Sequence, residues 1–128
     1  MIENEISYEI RGAIYDVYNA MGSGLLESVY VAALKIELSN RGLTVFREVA
    51  IPVYYNGTKL DKVGFRLDLL VDEKVIIEVK SVETLAKIHH KQVQTYLKIT
   101  NLKLAILVNF NVVNINDGIF RKVNNLGV

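Results

Sequence analysis

Ile6, Ile10, Ala13/Ile14, Val17 and Met21 recur at the three-and-four spacing of one helix face, which predicts a helix over residues 3–20. Gly22-Ser23-Gly24 ends it, glycine being the favoured residue just past a helix terminus. A second helix is expected from about Leu25 to Asn40, stopped by Arg41-Gly42. From Leu43 the pattern changes to that of strands. Leu43–Glu48 and Val49–Tyr55 are rich in Val, Ile, Phe and Tyr, and Asn56-Gly57 is a strong hairpin turn. Leu60–Val63 returns from that turn. Phe65–Val71 and Val75–Lys80 are the next strands, split by Asp72-Glu73-Lys74. Thr84–Thr100 reads as a helix, with Ile88, Val93, Tyr96, Leu97 and Ile99 mostly inward. Leu104–Phe110 is a buried strand, and a short strand at Gly118–Lys122 follows Asn116-Asp117-Gly118.

Helix, helix, several strands, helix and two strands give one α/β domain over residues 1–128, built on a central mixed sheet flanked by helices. Most strands are joined by hairpins, so the fold is not doubly wound. The helix between Lys80 and Leu104 is a crossover, which sets strand 104–110 parallel to strand 75–80 or its neighbour.

Composition narrows the classes. The chain is 51% hydrophobic and 23% charged with one proline, as a globular protein is, and its length supports a real core. It has no cysteine, which excludes disulfides, zinc-thiolate sites and a cysteine nucleophile, and suits a reducing cytoplasm. The acidic start Met1-Ile2-Glu3-Asn4-Glu5 is unlike a secretory signal, and the apolar run Leu104–Val108 is too short to span a bilayer. Net charge is only +1, but Lys80, Lys87, Lys91 and Lys98 face a lone Glu83 in the same stretch. That is a positive face for phosphate or simply a solvated helix surface.

The candidate chemistry lies where two apolar runs turn polar. Asp68 and Glu78 are a pair of carboxylates able to hold a hard divalent cation, which takes oxygen ligands. Lys80, two residues past Glu78, shares its strand face. Metal, carboxylates and an ammonium on one surface suit phosphodiester hydrolysis. Parity decides whether they meet. A two-residue turn would pair Asp68 with Ile77 and put Glu78 on the opposite face. The three-residue connection Asp72-Glu73-Lys74 pairs Asp68 with Glu78 and Arg66 with Lys80, and is the register expected here. The bland alternative is two acids at the exposed ends of an edge strand, neutralised by Lys80 or Arg66.

Two other elements add polar groups at positions otherwise used for burial. Glu27 stands in line with Val31, Leu34 and Leu38, where a carboxylate is costly unless a metal or donor relieves it; its plainer reading is an acid at a helix N-terminus. Gln92 and Tyr96 stand in line with Ile88 and Ile99, able to contact phosphate or base groups, although a tyrosine so spaced is also ordinary core.

Several segments then match a known family in order and spacing. Gly24-Leu25-Leu26-Glu27-Ser28-Val29-Tyr30 resembles the pattern that names the GxxExxY proteins. The likeness continues through Phe65–Val71, Ile77-Glu78-Val79-Lys80, Ile88-His89 with Gln92 and Tyr96-Leu97, and Val108-Asn109-Phe110. That family looks like a branch of the PD-(D/E)xK nuclease superfamily. The resemblance implies a restriction-endonuclease-like core and Mg²⁺, with Mn²⁺ as an alternative, held by Asp68 and Glu78, the Val79 carbonyl and Glu27. It implies Lys80 as the catalytic lysine beside the acids. Gln92 and Tyr96 fit the Q-x-x-x-Y pattern of RecB-like nucleases and would place DNA. Leu67 stands where the superfamily's name has a proline.

The function expected is therefore metal-dependent hydrolysis of DNA in the cytoplasm. The competing class is an inactive nuclease-fold module that binds nucleic acid or protein. A third is an oligomeric interaction protein, with the apolar face of the first helix as the contact of a homodimer.

Overall fold

The computed structural model describes residues 1–126, apart from the side chains of Lys62 and Val63. Helix α1 (Glu3–Met21) buries Ile6, Ile10, Ala13, Ile14 and Val17 of the line its spacing predicted, while Met21 at its end is exposed. Helix α2 (Glu27–Asn40) starts two residues later than expected and buries Tyr30, Val31, Leu34 and Leu38. Arg41 ties the two helices, its guanidinium bridging Glu9 at 3.1 Å, Asp16 at 2.6 Å and Glu37 at 3.3 Å.

Five strands follow, hydrogen-bonded in sequence order: β1 (Val45–Tyr55), β2 (Thr58–Val71), β3 (Val75–Lys80), β4 (Leu104–Asn109) and β5 (Ile119–Val123). The expected pair Leu43–Glu48 and Val49–Tyr55 is a single strand, and so is Leu60–Val63 with Phe65–Val71. Asn56 and Gly57 both take positive φ, as a tight hairpin turn requires. All neighbours are antiparallel except β3 and β4, which run parallel. Helix α3 (Lys87–Thr100) supplies the crossover. This is the mixed sheet flanked by helices that the sequence predicted.

The sheet separates two apolar layers. On one side α1 and α2 cover Leu69, Val71, Ile77, Val79, Ile106 and Val108. On the other, Val93, Tyr96 and Leu97 of α3 cover Leu67, Ile76, Ala105 and Leu107. Two expectations for α3 need correction. It begins at Lys87 rather than Thr84, and Ile88 and Ile99 point outward, 65% and 42% exposed. One helix face over a sheet has room for a narrow apolar stripe, and Val93, Tyr96 and Leu97 fill it. The apolar face of α1 is also spent inside, so it is not the surface a second copy would meet. No helix among the described residues is long and apolar enough to cross a membrane.

Candidate functional site

The turn between β2 and β3 sets the register. Val71 pairs with Val75, Leu70 with Ile76 and Leu69 with Ile77, across the three-residue connection Asp72-Glu73-Lys74. Leu69–Ile77 is the last strand pair, and the two acids meet beyond it through direct side-chain interaction. There the backbone ladder stops, so Arg66 and Lys80 do not pair as expected. Past Ile77 the acceptor for the next amide is a side chain: Val79 N–H donates to Asp68 Oδ2 at 2.8 Å.

The faces of β2 change sides at Asp68 with no shift of its register against β1. Leu67 packs in the α3 layer and Leu69 in the α1–α2 layer, although strand alternation would put both on one side. Facing Asp68 across β1, between the pairs Arg47–Leu69 and Val49–Leu67, Glu48 takes φ +55°, a left-handed backbone uncommon for a non-glycine residue. Irregularities of this kind re-aim side chains beside functional sites.

Glu78 is 4% exposed, and its Oε1 is buried with no hydrogen-bond partner among the described residues. Burial, reinforced by direct interaction with the Asp68 carboxylate, pushes its pKa up to about 10 although Lys80 pulls it down. Tyr96 lies against the same pair. It is 6% exposed, its ring packs on Phe65 at 5.2 Å, and burial with the charges of Glu78 and Asp68 raises its pKa. Lys80, at the end of β3, and Gln92, one helical turn before Tyr96, are both half-buried.

Glu27 is placed differently. It opens α2 and lines a cleft with Ser28, Val31, Arg47, Glu48 and Asp68, but its Oε2 accepts the Ser81 N–H at 3.2 Å. Among the described residues no three His, Asp or Glu side chains cluster as a ready-made metal cage. The fold brings together Asp68, Glu78, Lys80 and Tyr96 and leaves Glu27 at the rim, tethering the chain that leaves β3. A carboxylate oxygen buried without a donor, next to a second carboxylate, fits a divalent cation, which Mg²⁺ sites commonly hold with one or two carboxylates. Sequence reasoning gave Ser81 no part and Asn109 no role, though Asn109 is a buried polar residue ending an otherwise apolar strand.

Comparison with known proteins identifies the superfamily. No curated protein and no solved structure matches the chain. The family model of the PD-(D/E)XK nuclease superfamily matches residues 4–122, spanning both helices of the α1–α2 layer, all three acids and α3, and the chain belongs to that superfamily.

Proposed function

We propose that the protein is a Mg²⁺-dependent deoxyribonuclease, with Mn²⁺ able to substitute, of the GxxExxY type with a RecB-like Q-x-x-x-Y helix. One observation carries the reading. Glu78 Oε1 is buried without a donor beside Asp68, an arrangement that is costly on its own and that a cation relieves.

Asp68, Glu78 and the Val79 carbonyl would hold the ion, and Glu27 would join them through Oε1 while Oε2 keeps the Ser81 N–H. A divalent cation bound there would neutralise charge on the phosphate and acidify a water. Lys80 stands beside the pair and presents an ammonium to the attacking water and the phosphate oxygens. Tyr96 keeps its hydroxyl proton at neutral pH, because burial and two neighbouring carboxylates oppose ionisation, and so remains a donor for a phosphate oxygen. Gln92, a turn earlier, holds the nucleic-acid strand through an amide that both donates and accepts. Water adds to phosphorus, the P–O bond to the leaving sugar oxygen breaks, and that oxygen takes up a proton.

Purified protein assayed with Mg²⁺ or Mn²⁺ on single-stranded, duplex and flapped DNA tests the proposal. Cleavage by wild type, lost in Asp68→Ala, Glu78→Ala and Lys80→Ala proteins that remain folded, is the expected result. Binding without metal-dependent turnover would instead support an inactive nuclease-fold module.

A further inference from the structure

The chain leaving Lys80 is held from two sides. From β4, Phe110 N–H donates to the Lys80 carbonyl at 2.9 Å. Asn109, 3% exposed, turns its amide onto Val82: Oδ1 accepts the Val82 N–H at 3.1 Å, and Nδ2 donates to the Val82 carbonyl at 2.9 Å. Oδ1 also accepts the Asn111 N–H at 3.2 Å. From α2, Glu27 takes the Ser81 N–H, and Ser81 Oγ donates to the Leu25 carbonyl at 2.6 Å.

The two sides are themselves joined. Tyr30 stacks on Phe110, rings 4.2 Å apart and within 5° of parallel. Its hydroxyl donates to the Gly22 carbonyl at 2.6 Å and accepts the Leu25 N–H at 3.2 Å. The contacts thus close a ring from Tyr30 through Phe110, Lys80 and Ser81 to Leu25 and back. Asn109 adds to that ring a buried two-way bridge to the residue after Ser81.

We propose that Asn109 is a positioning residue whose bridge to Val82 fixes the turn out of β3 and so aims the Lys80 amine at the Asp68–Glu78 pair. The inference rests on the nuclease reading for the purpose of that aim. Only an amide can both donate and accept across one peptide unit here, since aspartate has no donor and alanine has neither group. A half-buried Val82 left with an unmatched N–H or carbonyl would move to find water. The two acids are held without the Asn109 side chain, because the Val79 N–H holds Asp68 and Glu78 sits opposite Leu107 in the β3–β4 ladder. Loss of Asn109 should therefore disturb the lysine and spare the cation site.

The experiment compares wild type with Asn109→Asp and Asn109→Ala in four readouts. They are hydrogen exchange at Val82, Mg²⁺ affinity by calorimetry, the ¹³C resonance of reductively methylated Lys80 (identified by its absence in Lys80→Arg), and cleavage kinetics. Gly118→Ala is a second variant that leaves the amide intact. A Cβ on Gly118 would run into the Asn109 carbonyl oxygen and push the end of β4 aside.

The expected result is faster exchange at Val82, a shifted Lys80 resonance and unchanged Mg²⁺ affinity. With it, kcat falls roughly 100-fold at nearly constant KM, the scale of a small misplacement of a reacting group. An unmoved Lys80 resonance, or Mg²⁺ affinity falling in step with kcat, overturns the proposal. Wild type that never cleaves DNA sinks the nuclease reading, while the resonance and the titration still decide whether Asn109 aims the lysine.

Discussion

Glu78 has the least settled environment of any described side chain. Its pKa, near 4.5 in an unfolded chain, is pushed up to about 10 by burial and by Asp68, so the metal-free fold holds a proton that the unfolded chain releases. Between those two values the folded state binds more protons, and stability falls as pH rises through the window. Glu78→Gln removes this liability. The metal-free variant is expected to melt above wild type at about pH 8, with the gap closing towards pH 5, as thermal melts would show. Tyr96→Phe should keep its packing on Phe65 and melt like wild type while cleavage slows, because only the hydroxyl is lost. Both acids were legible in the sequence, since two carboxylates at the ends of apolar runs with a lysine in phase are unusual. The burial of Glu78 was not legible, because it depends on Tyr96 and the end of β2, brought in from elsewhere in the chain. Glu27 was read as standing on an inward helix line, but it is exposed at the start of α2, and its partner, the Ser81 N–H, is a backbone group that no residue pattern reveals.

Among the elements, the β2–β3 turn decides whether there is a site at all, and it is strained. Asp72 and Glu73 both hold positive φ, at 52° and 56°, with Lys74 N–H donating to the Val71 carbonyl at 3.0 Å. Asp72 earns its conformation by accepting the Thr44 N–H at 2.8 Å, while no side-chain hydrogen bond holds Glu73 among the described residues. Glu73→Gly should therefore stabilise the protein by about 1 kcal/mol in denaturant titrations, the scale of a left-handed non-glycine residue, and leave the register unchanged. Arg41→Met tests the α1–α2 connection. With its stem kept and three carboxylates unpaired, a loss of about 1 kcal/mol is expected, shrinking in high salt because the partners are partly exposed. Apolar spacing located the three α-helices and the β3 and β4 strands, and missed the 3-10 turn at Ile115–Gly118. It failed for Ile88 and Ile99 because periodicity reports a helical line and not how much of that line the sheet can cover.

For the molecule as a whole, the topology follows from connection lengths. Short turns made β1–β2 and β2–β3 antiparallel, and the helical crossover made β3 and β4 parallel. That order delivers Lys80 beside Asn109 and lets α2 and α3 flank the strand ends from opposite faces. What spacing could not foretell is the place where β2 leaves β3. Glu48 of a third strand takes a left-handed backbone opposite Asp68, and the Asp68 carboxylate replaces a ladder acceptor.

Calorimetric titration of the metal-free protein with Mg²⁺ near pH 7, repeated in buffers of different ionisation enthalpy, tests this most directly. A single binding event that releases about one proton, and that disappears in both Asp68→Asn and Glu78→Gln, is the predicted result. Binding that survives both substitutions, or that releases no proton, would contradict a cation held between Asp68 and Glu78.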